Sequence, residues 1–338
     1  MPKKQSAFFS QLARALLDAW FQPFRVELVR NPGPSSPAAQ TDSASTHSAM
    51  GDPKININSA ILSELDKLEA QLGVPALSNK IQASRPYATT EDLVSKSVIT
   101  QAQFDQIKDQ VTIEDIVLTG EAKDVDYMTK LGLMKGHMLV AGELLALNQP
   151  QQAEPHLGHP VEEIYVDLQP QLPERNVAEF SDVLTKVQDL VKTKPTDPQV
   201  QPAFDAAMAA IDGAIAALPE TQRKSPSFML QVINEMLDTA AAEYTAAISD
   251  GKISAAIEYQ DSRGFVQYAK DFLMKDISAP LAQKDVNVGG QLTTQLEELY
   301  KAWPEPIPPA TPVISADQLA TQVKTIEQAS KSVIQSAS

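Results

Sequence analysis

Met229, Val232, Ile233, Met236, Leu237, Ala240, Tyr244 and Ile248 follow one another at three- and four-residue intervals. Side chains with that period line one side of an α-helix and scatter over both faces of a strand. The same period returns along most of the chain and predicts further helices over about 124–147, 160–169, 176–193, 200–218 and 253–275. Pro150, Pro155, Pro173, Pro195 and Pro198 read as the breaks between them. No segment alternates convincingly with the two-residue period of a half-buried strand. The expectation is an all-α chain whose residues 116–285 form an antiparallel helical bundle. A helix near 291–303, the stretch PEPIPPATP and a polar helix from Ala316 onward predict a loosely attached C-terminal arm over 286–338.

With 338 residues, 43% of them hydrophobic, the chain has material for a sizeable core and for more than one domain. Forty-three acidic against 28 basic side chains give a formal charge of -15, which opposes a general nucleic-acid binder because phosphates must be met by an excess of Lys and Arg. The absence of cysteine excludes disulfides, thiolate metal sites and cysteine nucleophiles together. No run approaches the roughly 18 apolar residues of a membrane-spanning helix. Residues 1–30 reverse the global charge, with five basic and two acidic side chains. Lys3 and Lys4 precede an apolar run that Arg14 and Asp18 interrupt, so the segment reads as basic and amphipathic or signal-like. Residues 31–52 are dominated by Pro, Gly, Ser, Ala and Thr and predict a disordered linker, with His47 and Met50 inside it.

Residues 53–115 form a separate unit. A short extended piece leads into a helix carrying Ile61, Leu62, Leu65 and Leu68, and Gly73–Val74–Pro75 turns the chain into a second helix with Leu77 and Ile81. Two shorter helices follow, one around Leu93 and one capped by Thr100 with Phe104 and Ile107. Ile55, Ile57, Asn58 and Ala60, then Glu64–Leu65, Leu77, Lys80–Ile81, Arg85–Pro86–Tyr87 and Glu91–Asp92–Leu93 resemble the helix-hairpin-helix module of the competence DNA receptor ComEA and of the photosystem II extrinsic subunit PsbU. That resemblance implies a small helical domain using its hairpin to contact DNA or protein. In the DNA-binding form two hairpin glycines bring backbone N–H groups onto a phosphate. Here the stretch is Glu69–Ala70–Gln71–Leu72–Gly73–Val74–Pro75: one glycine remains, and Pro75 has no N–H. The module also carries nine acidic against six basic residues, so protein contact is expected and DNA contact is not. The segments LGLMKGHMLVAGELL, PHLGHPVEEIY and GKISAAIEYQDSRGFVQYA resemble helical proteins of cyanobacteria and some proteobacteria that follow such a module, which implies export to a periplasm or thylakoid lumen.

Chemistry-bearing residues collect in the bundle half. His137 shares the apolar face of its helix with Leu133, Val140 and Leu144, so its imidazole is either a hydrogen-bonded core residue or a ligand. His156 and His159 are expected in a loop before a helix opened by Pro160, with Glu163 one turn further on. Two imidazoles and a carboxylate at that spacing suit zinc, copper or iron. In a helix over 253–275, Glu258 and Asp261 lie about 20° and 40° from Phe265, on an apolar face, where carboxylates need a cation or a metal. Arg263 and Lys130 are candidate ion-pair partners. The candidate metal residues are therefore His137, His156, His159, Glu163, Glu258 and Asp261, for a divalent transition metal.

No G-x-S-x-G, P-loop, dinucleotide glycine fingerprint or H-E-x-x-H is present, and a non-enzymatic protein is expected. The first reading is a binding or scaffold protein on a photosynthetic or membrane-associated assembly. The alternative is a metal- or cofactor-binding bundle, and a second alternative is ComEA-like DNA binding.

Overall fold

The computed structural model describes residues 54–114 and 118–336; the expectations for 1–30 and 31–52 fall outside the described residues. Among the described residues the chain is all-α apart from two pairs of two-residue strands.

β1 (Ile55–Asn56) pairs in parallel with β2 (Val111–Thr112) and closes the module end to end. Between them run α1 (Leu62–Leu72), α2 (Leu77–Ala83), α3 (Asp92–Ser95) and α4 (Gln101–Ile107). Ile57, Leu65, Leu68, Leu77, Ile81, Leu93, Phe104 and Ile107 form a core of their own. Asn58 and Tyr87 exchange hydrogen bonds, Nδ2–H donating to the Tyr87 carbonyl at 2.9 Å and Tyr87 N–H to Oδ1 at 2.7 Å. The Arg85 guanidinium donates to the carbonyls of Ile57 and Ala60. These signature residues thus hold the strand end against the second helix pair.

The larger core is built by α5 (Gly120–Ala146), α6 (Pro150–His159), α7 (Tyr165–Leu168), α8 (Ser181–Thr193), α9 (Val200–Ala216), α10 (Glu220–Arg223), α11 (Pro226–Ala246) and α12 (Ala256–Tyr268), then α13 (Met274–Lys284), α14 (Val286–Tyr300) and α15 (Ala316–Gln335). β3 (Ile248–Ser249) and β4 (Lys252–Ile253) make the tight turn between α11 and α12. The predicted stripe on α11 is buried from Met229 to Tyr244. α11 is central: α12, α15, α5 and the module helix α1 all pack on it.

Two expectations change. The C-terminal arm is not loose: Trp303 is 1% exposed, and Leu319, Val323, Ile326 and Val333 of α15 are buried against α11. The stripe Leu319–Val323–Ile326 has the helical period, so a segment with a polar average still carries one apolar side. Pro155 and Pro160 also fail to break the chain. Pro155 lies within α6, and at Pro160 the chain passes into a π-turn (Pro160–Ile164) that leads directly into α7. Proline has no N–H to complete the α-helical bond, and the wider register accommodates its ring.

Candidate metal centre

Gly136 and Gly264 bring α5 and α12 into backbone contact. A Cβ on Gly264 would lie 2.2 Å from the Gly136 carbonyl oxygen, and one on Gly136 would lie 2.6 Å from the Phe265 ring. No other residue permits that approach. It places His137, next to Gly136, against Asp261, one turn before Gly264. The second and third imidazoles come from α6, where His156 and His159 are three apart and share a face.

His137, His156, His159 and Asp261 each direct one ligand atom into a common space, all within 4.8 Å of one another. His137 Nδ1 and His156 Nδ1 each lie 2.6 Å from Asp261 Oδ1, and His159 Nδ1 lies 3.2 Å from Oδ2. His137 and His156 are buried, and Asp261 is 3% exposed. Phe265 stands edge-on to His137 at 4.8 Å and forms an apolar wall.

Gln260 decides the proton arrangement. Its amide N–H groups donate to the Pro306 carbonyl at 3.1 Å and to Gln152 Oε1 at 3.0 Å. A backbone carbonyl accepts only, so the amide orientation follows and Gln260 Oε1 faces His156 Nε2 at 2.9 Å. His156 Nε2 therefore carries a hydrogen, and in the neutral ring Nδ1 presents a lone pair to Asp261. A lone pair and a carboxylate oxygen 2.6 Å apart require a proton between them, the gap being too short to hold a metal ion with ligand bonds of about 2.0–2.2 Å. An imidazole whose far N–H is held by a second group is the usual arrangement around a bound metal.

The electrostatics agree. Burial alone would raise the Asp261 carboxyl, but the three imidazoles outweigh it and hold the group well below the usual carboxylate range. Burial lowers His137 in spite of Asp261. Burial also opposes charge on His159, yet Asp261, then Glu163 and Glu258, lift it to about 9. An anion is thus fixed at the centre of the cluster with three nitrogen donors around it.

Four of the six predicted residues meet directly. Glu163, on the π-turn, and Glu258, in the first turn of α12, are half-buried and near enough to act on His159, but they lie outside the tight cluster. The predicted loop around His156 and His159 is corrected to continuous helix. The two predicted cations are engaged elsewhere: Arg263 makes a two-pronged pair with Glu143 at 2.8 and 2.9 Å, and Lys130 pairs with Asp126. Gln260 and Glu243 are the residues that sequence reasoning missed. Glu243 repeats Met229 and Met236 at seven-residue spacing, which placed it on the buried face; Gln260 gave no signal beyond its place beside Asp261.

The hairpin is occupied by the chain itself. Gly73 adopts φ 60° and ends α1 in the left-handed conformation. The Glu69 carboxylate then accepts from Ala76 N–H at 2.8 Å, Ser78 N–H at 3.1 Å and Ser78 Oγ at 2.9 Å. Amides near Val74 and Pro75 that a phosphate would seek are satisfied by an internal anion.

The chain is thus an all-α bundle with a buried histidine–aspartate cluster between its helices. Consistent with that, residues 219–337 match the iron permease-associated 4-helix bundle domain. The match covers α10 to α15, and with them Asp261, Gln260, Glu258 and Glu243; the three histidines and the module lie before it. No curated protein and no solved structure matches the chain.

Proposed function

We propose that this protein binds a divalent transition metal, with His137, His156, His159 and Asp261 as ligands and Gln260 orienting His156. The observation that carries the reading is the convergence of three imidazole nitrogens and one buried carboxylate oxygen, all within 4.8 Å of one another. Three imidazoles and one carboxylate suit Fe(II), Mn(II) or Zn(II), whose ligand bonds of about 2.0–2.2 Å put opposed ligands roughly 4.2 Å apart, close to the spread observed. The iron permease association of the matched domain favours iron. No helix among the described residues is long and apolar enough to cross a membrane, so a role in iron handling is that of a binder or donor rather than of the permeation path.

The test is metal binding by the full chain after chelator treatment. Anaerobic calorimetry with Fe(II), and Co(II) absorption as a probe of nitrogen–oxygen coordination, should show saturable binding that His156→Ala and Asp261→Asn remove. A parent chain that binds neither ion overturns the reading.

The module has a second, compatible use, protein contact rather than DNA contact, and the Glu69 cap on the hairpin favours it. Its nearest partner is the bundle itself: Ile61 joins the bundle core, and Lys67 reaches Glu235 on α11.

A further inference from the structure

The four proposed ligands do not meet solvent equally. The side chains of His137, His156 and Asp261 are 5%, 0% and 4% exposed, whereas that of His159 is 20% exposed. Two sides of the cluster are shut by packing. The backbone contact at Gly136 and Gly264, with the buried Phe265 ring, closes the side between α5 and α12. Gln260, 1% exposed, closes the His156 side, its amide spanning from Gln152 to the Pro306 carbonyl. His159 occupies the last position of α6, edge-on to His137 at 5.0 Å and to His156 at 6.0 Å. Gln188 of α8 donates to Glu162 at 2.9 Å and to Glu154 at 3.4 Å, which fastens the chain on both sides of His159. The contact distances divide the ligands in the same way. His137 and His156 share Asp261 Oδ1 at 2.6 Å, while His159 faces the other oxygen, Oδ2, at 3.2 Å. Neighbouring ligands at the tetrahedral angle, with bonds of about 2.0–2.2 Å, stand roughly 3.3–3.6 Å apart. Of the three contacts, the one between His159 and Oδ2 alone has nearly that spacing.

We infer that His159 Nδ1 and Asp261 Oδ2 form the entry edge of the metal site, where an incoming divalent ion is held first and from which it leaves last. The inference rests on the metal-binding reading above and adds a route and an order to it. The inner imidazoles bind second. The proton held between His156 Nδ1 and Asp261 Oδ1 passes to solvent as the ion takes the nitrogen lone pair, and the two ligands move apart. His159 can change partner by rotation about its own side-chain bonds, without opening the backbone that Gln188 fastens. Its position is also the one at which a small nitrogen donor from solution can stand in for the side chain. The sealed positions of His137 and His156 admit none.

The experiment has two arms, both on the full chain. In the first, chelator-stripped protein is mixed with Co(II) and loading is followed by stopped-flow absorption. His159→Gly should load about tenfold more slowly than the parent, and free imidazole should restore both the rate and the parental spectrum in a saturable way. An unchanged loading rate, or no response to imidazole in a folded variant, overturns the entry edge while the metal site stands. The second arm needs no substitution in the measured protein and decides the matter if His159→Gly does not fold. The histidine ring carbons are labelled with 13C, the four ring signals are assigned, and a soluble gadolinium chelate is added to the metal-free parent. The His159 ring should broaden while those of His137 and His156 stay sharp. Equal broadening of the three overturns the one-sided route. A parent chain that takes up no Co(II) overturns the metal-binding reading and the route with it.

Discussion

His156 acts through its neighbour. With Gln260 accepting from Nε2–H, Nδ1 is the nitrogen left to face Asp261, and the orientation of the ring is set by that pair of contacts. Gln260→Leu should weaken metal affinity by about 10- to 100-fold, read by competition against a chelator of known strength. An unchanged affinity would show that the ring is oriented by packing alone. A different residue sets a pH dependence far from the metal. Burial, and then a hydrogen bond with Asp238, lift Glu327 to about 7 from an ordinary 4.5. A raised carboxyl binds its proton more tightly folded than unfolded, so its contribution to stability is lost as pH climbs from the unfolded value through 7. Glu327→Gln should be nearly neutral at pH 5 and stabilising by about 1 kcal/mol at pH 8, the partial exposure having screened much of the shift. Melting curves at the two pH values test this. The sequence made the buried faces of His137 and Asp261 legible, because helical phase depends only on spacing. It did not reveal which of Glu258 and Asp261 touches imidazole, since that depends on where two helices cross.

The crossing is an element-scale fact, and it turns on two glycines that no periodicity marks. Gly264→Ala should destabilise by about 2–4 kcal/mol and lower metal affinity with it, because the added methyl meets backbone rather than a side chain that can swing away. Gly213→Ala in α9 is the control: a Cβ there meets nothing within 4 Å, and the helix should gain roughly 0.5–1 kcal/mol. Chemical denaturation of both variants separates packing from helix propensity. The prolines of α6 were equally hard to read from sequence. Their missing N–H groups normally end helices, whereas here the π-turn carries the chain past Pro160 and keeps Glu163 near His159. The hairpin is the converse case, where its altered chemistry was visible in the residues but the substitute anion was not. With Glu69 on the Ala76 and Ser78 amides, duplex DNA at physiological salt should show no saturable anisotropy change below about 10 µM.

At the scale of the molecule, module and bundle have separate cores joined along α1 and α11. The Pro-rich stretch and the polar average of the helix from Ala316 suggested an arm over 286–338, and the buried stripe of that helix makes it a wall of the bundle. A chain ending before Ser315 would expose α11 along Leu319, Val323, Ile326 and Val333, each worth about 1.5–3 kcal/mol when buried. Its melting should become broad and several degrees lower, and a sharp transition at the parent temperature would show that α15 is dispensable.

His137 and Asp261 are 124 positions apart in the chain. During synthesis the imidazoles leave the ribosome long before the aspartate that gathers them, and the helix carrying Asp261 comes later than both. A nascent chain therefore lacks the complete ligand set until Asp261 has been made. On the proposed metal reading, a bound ion would then close a loop of 124 positions.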